Sequence, residues 1–455
     1  MAPIAETVMT LAQPRQLHIN INILNAGFIA SAWRQPGLAP DAFADVAHYI
    51  RIAKEAERGK LDAIFLSDTL GIADRIEYRP IQSLDPAILL SFIAAATSRI
   101  GLIGTASTSY NTPWDVARRF LSLDRASGGR AAWNIVTSAG TVQSENFNLA
   151  EEADPVERYR RATEFTEVVQ KLWDSWEDGA IVGDKATGRL VDPARIHRPE
   201  HQGRYFSVKG ALTVPRSPQG QPVRVQAGAS DHGLDFAATV AEAVFTVAAT
   251  AEDARAYVQR LTPLLEAKGR RRGDVVVLPG LAYILGGTED EARRRQKDLL
   301  DAIPDAYFMP RLADILQIPV DRLDPDKPLP DDLVEPAKGA SKSFFHATIG
   351  LARRENLTVR ELNRRLGGGL GHRLFVGTPE QLAEDMAAWQ AEGIADGFNL
   401  MPDVLPDGVT TFVDEVVPLL QARGIFRRDY EGTTLREHLG LARPDFAAPV
   451  PVPVF

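Results

Sequence analysis

Short apolar segments alternate with amphipathic stretches along most of this 455-residue chain, and this alternation limits the fold more than any other feature. Parallel strands that are buried on both faces have nearly continuous apolar sequences, and the helices between them repeat their apolar residues every three or four positions. The predicted strands are 18–24, 63–68, 100–107, 131–138, 223–228, 244–249, 276–285 and 397–402. Eight such units in series favour an α/β fold of the (β/α)8 TIM-barrel type over an open doubly wound sheet.

Polar segments interrupt this repeat, and we expect them to be insertions at the carboxyl-terminal face of one barrel domain that spans the chain. The insertions are 139–155, 178–222 and 303–372, and residues 442–455 follow as an extended tail. A structureless segment as long as 303–372 is uncommon inside a compact domain, so we expect it to fold in part and to act as a lid. Gly367, Gly368 and Gly369 would then be either its hinge or a plain loop.

The composition excludes several kinds of chemistry. The chain has no cysteine, which excludes disulfides and thiol nucleophiles, and its eight histidines lack the spacing of metal ligands. The net charge is −9 with both signs mixed along the chain, so no basic footprint for nucleic acid is present. No apolar run is long enough to span a membrane and the first residues do not resemble a secretory signal, so a cytoplasmic protein is expected. Motifs typical of dinucleotide-binding folds, phosphate-binding loops, zinc proteases and serine hydrolases are missing.

Polar side chains occur where the predicted strands end, which is where a TIM barrel places its functional residues. Asp68 ends the second predicted strand, Thr105 and Ser107 end the third, and Asn134 lies in the fourth. An unpaired buried amide costs about 1–3 kcal/mol, so Asn134 needs a partner such as a heteroaromatic ring. A structural hydrogen-bond network would satisfy Asn134 equally well, and Asp68 has an alternative role as a cap of the next turn.

A second set of residues is suited to a phosphate group. Gly228 and Ser230 follow the fifth predicted strand and open a helix, whose free backbone N–H groups attract anions. Tyr159 lies between Arg158 and Arg160 at the start of another helix and adds a phenol and positive charge. Each motif is weak alone, but together they describe a pocket at the barrel rim with a phosphate anchor and a polar slot for a ring.

Longer motifs extend from the first strand almost to the C-terminus. They are WRQP (33–36), FLSD (65–68), STSYNTPWDVAR (107–118), GGRAAWNIVTS (128–138), ERYRRATEF (157–165), VQAGAS (225–230), VGTPEQLAEDM (376–386), DGFNLMP (396–402) and RGIFRRDYEGTTLREHLGL (423–441). In these stretches the chain resembles the bacterial luciferase-like superfamily, specifically its nitrilotriacetate, EDTA and dibenzothiophene-sulfone monooxygenase group. The last stretch is the most specific, since EGTTLREHLGL has no general structural reason to have this sequence.

The resemblance implies a two-component monooxygenase. A separate reductase would make FMNH2 from NAD(P)H, and this chain would use FMNH2 and O2 to oxidise a small aminopolycarboxylate, sulfone, alkane or heterocycle. A homodimer or homotetramer is also implied. The implied cofactor-binding residues are Asp68, Thr105, Ser107, Asn134, Ser138, Tyr159, Ala229 and Ser230. Asp68 and Asn134 would face the flavin ring, whereas Tyr159 and Ser230 would reach its phosphate.

The chain departs from this family at two places. Residues 155–157 are Pro-Val-Glu where many relatives have a His-Asp pair, which removes one possible flavin contact. Residues 27–31 replace histidines that often follow the first strand, which favours a more apolar pocket wall. No catalytic acid or base and no metal site is evident, and His18, Asn20 and His346 are the candidates for a polar role near the pocket. Two other functions stay open: an F420-dependent oxidoreductase on the same barrel, and a flavin-binding protein without catalysis.

Overall fold

The computed structural model describes residues 16–72, 76–81, 84–138, 141–148, 154–228, 230–335, 342–366 and 372–447. Its strands are β1 (His18–Asn22), β2 (Ala63–Leu66), β3 (Gly101–Ser107), β4 (Ala131–Val136), β5 (Ile181–Asp184), β6 (Arg189–Val191), β7 (His201–Gln202), β8 (Ser207–Val208), β9 (Val223–Ala227), β10 (Ala243–Thr246), β11 (Val276–Leu285), β12 (Arg373–Gly377) and β13 (Gly397–Pro402). Its α-helices are α1 (Val46–Arg58), α2 (Pro86–Ala96), α3 (Pro113–Ser127), α4 (Thr141–Asn146), α5 (Pro155–Trp173), α6 (Asp231–Val240), α7 (Ala251–Ala267), α8 (Glu289–Asp301), α9 (Asp305–Leu316), α10 (Lys342–Arg354), α11 (Val359–Leu366), α12 (Pro379–Ala391), α13 (Asp407–Thr411), α14 (Val417–Ala422) and α15 (Leu435–His438).

Eight parallel strands close into a barrel, which confirms the predicted (β/α)8 fold. Around the barrel their order is β1, β2, β3, β4, β9, β10, β11 and β13, and β13 pairs with β1 to complete the circle. These are the eight strands that the apolar runs predict. Their helices begin at ordinary caps. In α3, for example, Thr112 accepts the N–H of Asp115 and Pro113 occupies the first turn.

One strand of this sheet was not predicted. β12 runs parallel to the last five residues of β11, with Leu281 opposite Arg373 and Leu285 opposite Gly377, beyond the point where β10 ends at Thr246. Three of its five residues are only partly buried, so its sequence RLFVG lacks the continuous apolar character of a fully buried parallel strand. β12 extends the sheet above the carboxyl end of the barrel.

The barrel interior is closed at its amino end by the last helix. Inward-facing side chains such as Phe65, Ile103 and Leu278 form one apolar cluster with Leu435 and Leu439 of α15 and its flank. These two leucines belong to the motif EGTTLREHLGL, so the interpretation that this sequence has no structural reason is wrong. The two leucines of this motif fill the amino end of the barrel interior.

The described part of the insertion 303–372 lies at the carboxyl-terminal face, where Ile303 and Tyr307 pack with Phe28 after β1 and Met401 of β13. Its described part contains α9, α10 and α11, which share an apolar cluster that includes Leu316, Phe345 and Leu362. The preceding helix α8 is fixed to the barrel by an ion pair of 2.6 Å between Arg295 and Asp403, a buried residue just after β13. The described part of the segment therefore folds, as expected, and its role as a lid stays a prediction. The glycines proposed as a hinge, 367–369, lie outside the described residues.

The other two insertions differ in position. In 139–155, the described helix α4 lies at the carboxyl-terminal face, where Asn146 donates to the carbonyl of Leu70 after β2. The segment 178–222 connects a helix to the next strand, so both its ends lie at the amino-terminal face: Gln219 donates to the carbonyl of Ala131, the first residue of β4. We expected this insertion at the opposite face. Because α5 ends and β9 begins at the amino-terminal face, a segment between them lies there.

The tail beyond α15 has no regular structure as far as it is described. Its residues 442–447 pack on the amino-terminal side, where Arg216 donates to the carbonyl of Pro444 at 2.7 Å and lies over the ring of Phe446. The remainder of the predicted tail, 448–455, lies outside the described residues. Of the helices in the described part of the chain, none is long and apolar enough to cross a bilayer.

Candidate active site

Asn134 and Thr105 form a buried polar pair inside the carboxyl-terminal half of the barrel. Thr105 Oγ1 donates to the carbonyl of Leu66 at 2.9 Å and accepts from Asn134 Nδ2 at 2.9 Å. Because the single hydroxyl proton of Thr105 is already donated, Asn134 must present its amino group to it, which fixes the orientation of the amide. The carbonyl Oδ1 of Asn134 is then buried without a partner among the described residues. A ligand that donates a hydrogen bond would remove this cost.

The loop after β3 surrounds this pair with further hydroxyl groups. Ser107 is 1% exposed, and its Oγ accepts the backbone N–H of Ser109 at 3.1 Å. Asn111 Nδ2 donates to the carbonyl of Ser107 at 2.8 Å and so holds the loop in place. Ser107 thus lies beside Thr105 and Asn134 at the rim, as its position at the end of a strand predicts.

Three further buried amides line the barrel, and only one of them was recognised from the sequence. Asn20 and Asn22 of β1 and Asn399 of β13 are buried, and each has a side-chain carbonyl without a partner in the described part of the chain. Asn20 lies opposite Asn399 in the register. Asn20 was a candidate, whereas Asn22 and Asn399 were missed. The signal was available, since asparagines at alternate positions of a strand share one face and their neighbours Ile19, Ile21 pack outward.

The start of α6 and one side of α5 together form a small polar cradle. Ser230 caps α6 by accepting the N–H of Gly233 at 3.2 Å. A Cβ atom at Gly233 would lie 3.1 Å from both Ser230 Oγ and the hydroxyl of Tyr159. The two hydroxyls therefore converge on one point above a helix N-terminus, as an anion site requires. Ala229, another implied cofactor contact, lies outside the described residues.

Ser138 is held at the same rim by its backbone. It has a positive φ of 34°, and its carbonyl accepts from Arg158 Nη1 at 2.8 Å. Arg161, one turn further along α5, donates to the carbonyl of Thr108 after β3. These arginines bring positive charge to the edge between β3, β4 and α5.

The carboxyl group of Asp68 has a raised pKa. Partial burial raises its pKa to about 6, and the nearby carboxylate of Asp85 adds to this effect, against opposing contributions from the N–H of Thr69 and from Arg119. Asp85, not Asp68, caps α2 by accepting the N–H groups of Ala87 and Ile88. The helix after β2 is thus capped by Asp85, whereas Asp68 accepts the N–H of Thr69 in the turn that follows it, as the alternative role as a turn cap requires.

A histidine that the sequence reading missed lies near the mouth. His372 is the last residue of the insertion 303–372, and its ring stacks on Phe245 of β10 with centroids 5.3 Å apart and planes 8° from parallel. Gly280 leaves room for it, because a Cβ there would lie 2.5 Å from His372 Nδ1. Burial lowers the pKa of His372 to about 4, so the ring is neutral at pH 7.

The two histidine candidates lie away from this site. His18 is the first residue of β1 and therefore lies at the amino end of the barrel, where Nδ1 contacts the buried carboxylate of Asp62 at 3.2 Å. His346 is on α10, its side chain is 62% exposed, and it pairs with Glu335. Neither position suits a role in a pocket at the carboxyl-terminal face. His18 instead lines a cavity of about 760 Å³ at the amino-terminal face, which also includes Arg427 of the C-terminal motif.

A closed parallel barrel with incompletely paired polar side chains at its carboxyl end is the arrangement in which TIM-barrel enzymes hold their substrates. The chain belongs to the luciferase-like monooxygenase family, whose model matches residues 26–396. The resemblance inferred from the motifs is thereby confirmed.

Relatives of known activity are similar over almost their whole length. Nitrilotriacetate monooxygenase component A of Aminobacter aminovorans is 43% identical, over 94% of this chain and 97% of that protein. N-acetyl-S-(2-succino)cysteine monooxygenase of Bacillus subtilis is 42% identical, over 95% and 98%. Among solved structures, a riboflavin lyase with modified FMN and riboflavin has a TM-score of 0.82 at 30% identity, covering 93% of this chain and 96% of that one.

Proposed function

We propose that this chain is an FMNH2- and O2-dependent monooxygenase of a small organic substrate. The observation that carries the proposal is the unpaired, buried carbonyl of Asn134 at the barrel rim, together with the cradle formed by Ser230 and Tyr159. In the overall reaction, substrate, O2 and FMNH2 would give oxygenated substrate, FMN and water. The modified FMN in the riboflavin lyase structure supports the choice of cofactor.

The residues at the rim fit a phosphorylated flavin. A flavin ring carries N–H donors, which suit the free Oδ1 of Asn134, while Ser107 and Asp68 supply further polar atoms near the same edge. The phosphate suits the N-terminus of α6, where the hydroxyls of Ser230 and Tyr159 converge. The bound reduced flavin would supply the electrons that activate O2, and the protein would supply orientation and a dry site.

Exclusion of water is the role we propose for the insertion 303–372. Activated oxygen is lost as hydrogen peroxide when water reaches it, so the carboxyl-terminal face must be covered during turnover. The described helices α9 to α11 cover part of this face and carry their own apolar cluster. Anchoring of α8 through Arg295 and Asp403 would hold this cover in position.

The proposal includes partners. A separate NAD(P)H:FMN reductase would deliver the reduced flavin, as the word component in the name of the nitrilotriacetate relative suggests. Dependence on NAD(P)H favours a cytoplasmic location. A homodimer or homotetramer is supported by Ile88 and Phe92 of α2, which are 63% and 54% exposed, because large apolar groups in water favour association.

One experiment separates the proposed function from the two alternatives. The protein is loaded with FMNH2 without oxygen, given a pulse of ¹⁸O2 with an aminopolycarboxylate, a sulfone, an alkane or a heterocycle, and the products are analysed by mass spectrometry. Incorporation of one ¹⁸O atom into a substrate would support the monooxygenase. Oxidation or reduction with F420 in the absence of oxygen would support the oxidoreductase instead. Tight FMN binding with no product from any substrate would support a flavin-binding protein.

A further inference from the structure

Two arginines and a tyrosine converge at the carboxyl-terminal face on the side away from the flavin cradle. Arg79 follows the short turn Ile76–Tyr78 after β2, whereas Tyr307 and Arg311 belong to α9 of the insertion. Arg79 Nη1 donates to the hydroxyl of Tyr307 at 3.4 Å, and Arg311 Nη1 donates to the same oxygen. The guanidinium of Arg311 also lies 5.4 Å from the centre of the Tyr307 ring.

This cluster brings two positive charges to one phenol oxygen. In the described part of the chain, neither Arg79 nor Arg311 forms an ion pair with a carboxylate, whereas Arg295 and Arg322, on either side of Arg311 in the sequence, do so. Burial opposes ionisation of the Tyr307 hydroxyl, but Arg79 and Arg311 outweigh it and hold its pKa below the ordinary value. Burial likewise lowers the pKa of Arg311, and Arg79 adds to this effect. Tyr307 and the carboxylate of Asp314 act in the opposite direction on the pKa of Arg311 but do not outweigh burial and Arg79.

The cluster also has more donors than acceptors. The hydroxyl of Tyr307 accepts from both arginines, and no acceptor for its own proton is found among the described residues. Apart from this bond, Arg79 donates only to the carbonyl of Phe28 at 3.5 Å, and Arg311 makes no other hydrogen bond to the described part of the chain. The two guanidinium groups and the Tyr307 hydroxyl therefore have hydrogen-bond donors for which the described residues supply no anionic acceptor.

Its location connects the cluster with the mouth of the barrel. Tyr307 packs in one apolar cluster with Phe28 after β1, Ala282 of β11 and Met401 of β13. Both arginines are only partly buried, and their shared contact with Tyr307 places them beside this apolar cluster. The residues 27–31 alone favour an apolar wall, but the fold adds two arginines from distant segments to it.

We propose that Arg79 and Arg311, with the hydroxyl of Tyr307, bind a carboxylate of the substrate, so that the substrate is an organic acid. This inference rests on the proposed monooxygenase function and names the substrate class of the same site. Two planar guanidinium groups can donate pairs of parallel hydrogen bonds to carboxylate oxygens, which sets orientation as well as affinity. The chain has a net charge of −9, so an acid must be attracted by a local positive site of this kind and not by the protein as a whole.

The experiment measures binding of nitrilotriacetate, a tricarboxylate, by calorimetry to the FMN-loaded protein, with its neutral trimethyl ester as the matched probe. We expect the acid to bind and the ester to bind at least tenfold more weakly. The variants Arg79→Gln and Arg311→Gln should each weaken binding of the acid about tenfold to hundredfold, since each removes charged hydrogen bonds. Arg79→Lys and Arg311→Lys should weaken it less, because they retain the charge.

The matched control is Arg322→Gln, which removes an arginine of the same insertion that pairs with Asp332 at the surface. It should leave binding of the acid unchanged. The proposal is overturned if the wild-type protein does not distinguish the acid from the ester, if the two glutamine variants bind the acid normally, or if Arg322→Gln weakens binding as much. FMN affinity of each variant, measured by fluorescence, shows whether it is folded with an intact flavin site.

Failure of this inference differs from failure of the proposed function. If the protein incorporates ¹⁸O into a neutral substrate such as a sulfone but binds no carboxylate, the substrate class is wrong and the monooxygenase stands. If the wild-type protein binds no flavin, the proposed function itself is wrong.

Discussion

Asn134 Nδ2 donates to Thr105 Oγ1 at 2.9 Å across the β3–β4 pair, and this bond leaves the buried carbonyl of Asn134 with no partner among the described residues. We predict that Asn134→Ala lowers the affinity for FMN about tenfold or more, because a hydrogen bond in a buried site is lost. Fluorescence titration would measure it. Asn363→Ala removes a buried amide from α11 and should not change the affinity. Equal FMN affinity of Asn134→Ala and wild type would sink the proposed ring site.

The cradle at α6 should be specific for the phosphate. Tyr159→Phe and Ser230→Ala are each expected to weaken FMN binding severalfold to tenfold and to leave riboflavin binding unchanged, since riboflavin has no phosphate. Ser230→Ala also removes a helix cap, at a cost of about 1 kcal/mol. Ser230→Asp retains a cap but adds a negative charge, so it should weaken FMN binding further. Titrations with both ligands test this, and parallel losses for FMN and riboflavin would contradict the phosphate assignment.

The raised pKa of Asp68 predicts a pH-dependent stability. Its pKa is about 6 in the folded chain, compared with about 3.9 in an unfolded one, so the folded state binds more protons in this window. The stabilising contribution is complete below the unfolded value and is lost as pH rises through about 6. Asp68→Asn should therefore stabilise the protein at pH 8 and have little effect near pH 4.

Urea unfolding at several pH values measures this difference. Asp85→Asn provides the control, because it retains the cap of α2 but removes the neighbouring charge that adds to the shift. In that variant the change in stability due to Asp68 should move to lower pH. A difference between Asp68→Asn and wild type that is constant from pH 4 to 8 would refute the prediction.

We predict that the proposed lid, the insertion 303–372, depends on the ion pair that fixes the preceding helix α8 to the barrel. In the double variant Arg295→Met with Asp403→Asn, α8 loses its ion pair of 2.6 Å without leaving a buried charge unpaired. With a reductase and substrate supplied, we expect a larger fraction of the NADH consumed to appear as hydrogen peroxide. Arg293→Met, which removes an exposed arginine of the same helix that pairs with Glu289, should leave the fraction unchanged. Unchanged coupling in the double variant would remove the lid proposal.

The sequence was sufficient for the barrel because buried parallel strands have a distinctive local pattern. It also indicated the strand-end residues Thr105, Ser107 and Asn134, since their positions follow from strand ends alone. The position of His18 could have been inferred as well: the first residue of a strand lies at the amino end of the barrel.

Contacts between distant segments could not be predicted in this way. Arg79 and Tyr307 are 228 positions apart, and the insertion that brings them together has no periodic pattern that fixes its docking. The convergence of Ser230 and Tyr159 likewise depends on how α5 packs against α6. Such pairs are set by tertiary packing, which a single sequence does not encode locally.

The C-terminal motif should contribute to stability and not to flavin binding. Arg436 Nη1 pairs with Glu242 Oε1 at 2.6 Å at the amino end of the barrel, where both side chains are buried. Burial opposes the charge of Glu242, but Arg224 and Arg436 hold its pKa at about 2, so its contribution is present above the unfolded pKa of about 4.3 and is lost as pH falls toward 2. We predict that Arg436→Met costs about 1.5–3 kcal/mol of unfolding free energy at pH 7, since it removes charged hydrogen bonds to Glu242 while Arg224 remains as a second partner at 3.2 Å. Arg443→Gln, which breaks an exposed pair with Asp178, should cost less than about 1 kcal/mol. Urea unfolding measures the loss of stability, and FMN titration at the same pH measures flavin affinity. An Arg436→Met protein that is as stable as the wild type, whether or not it has lost flavin affinity, would contradict a structural role for this motif.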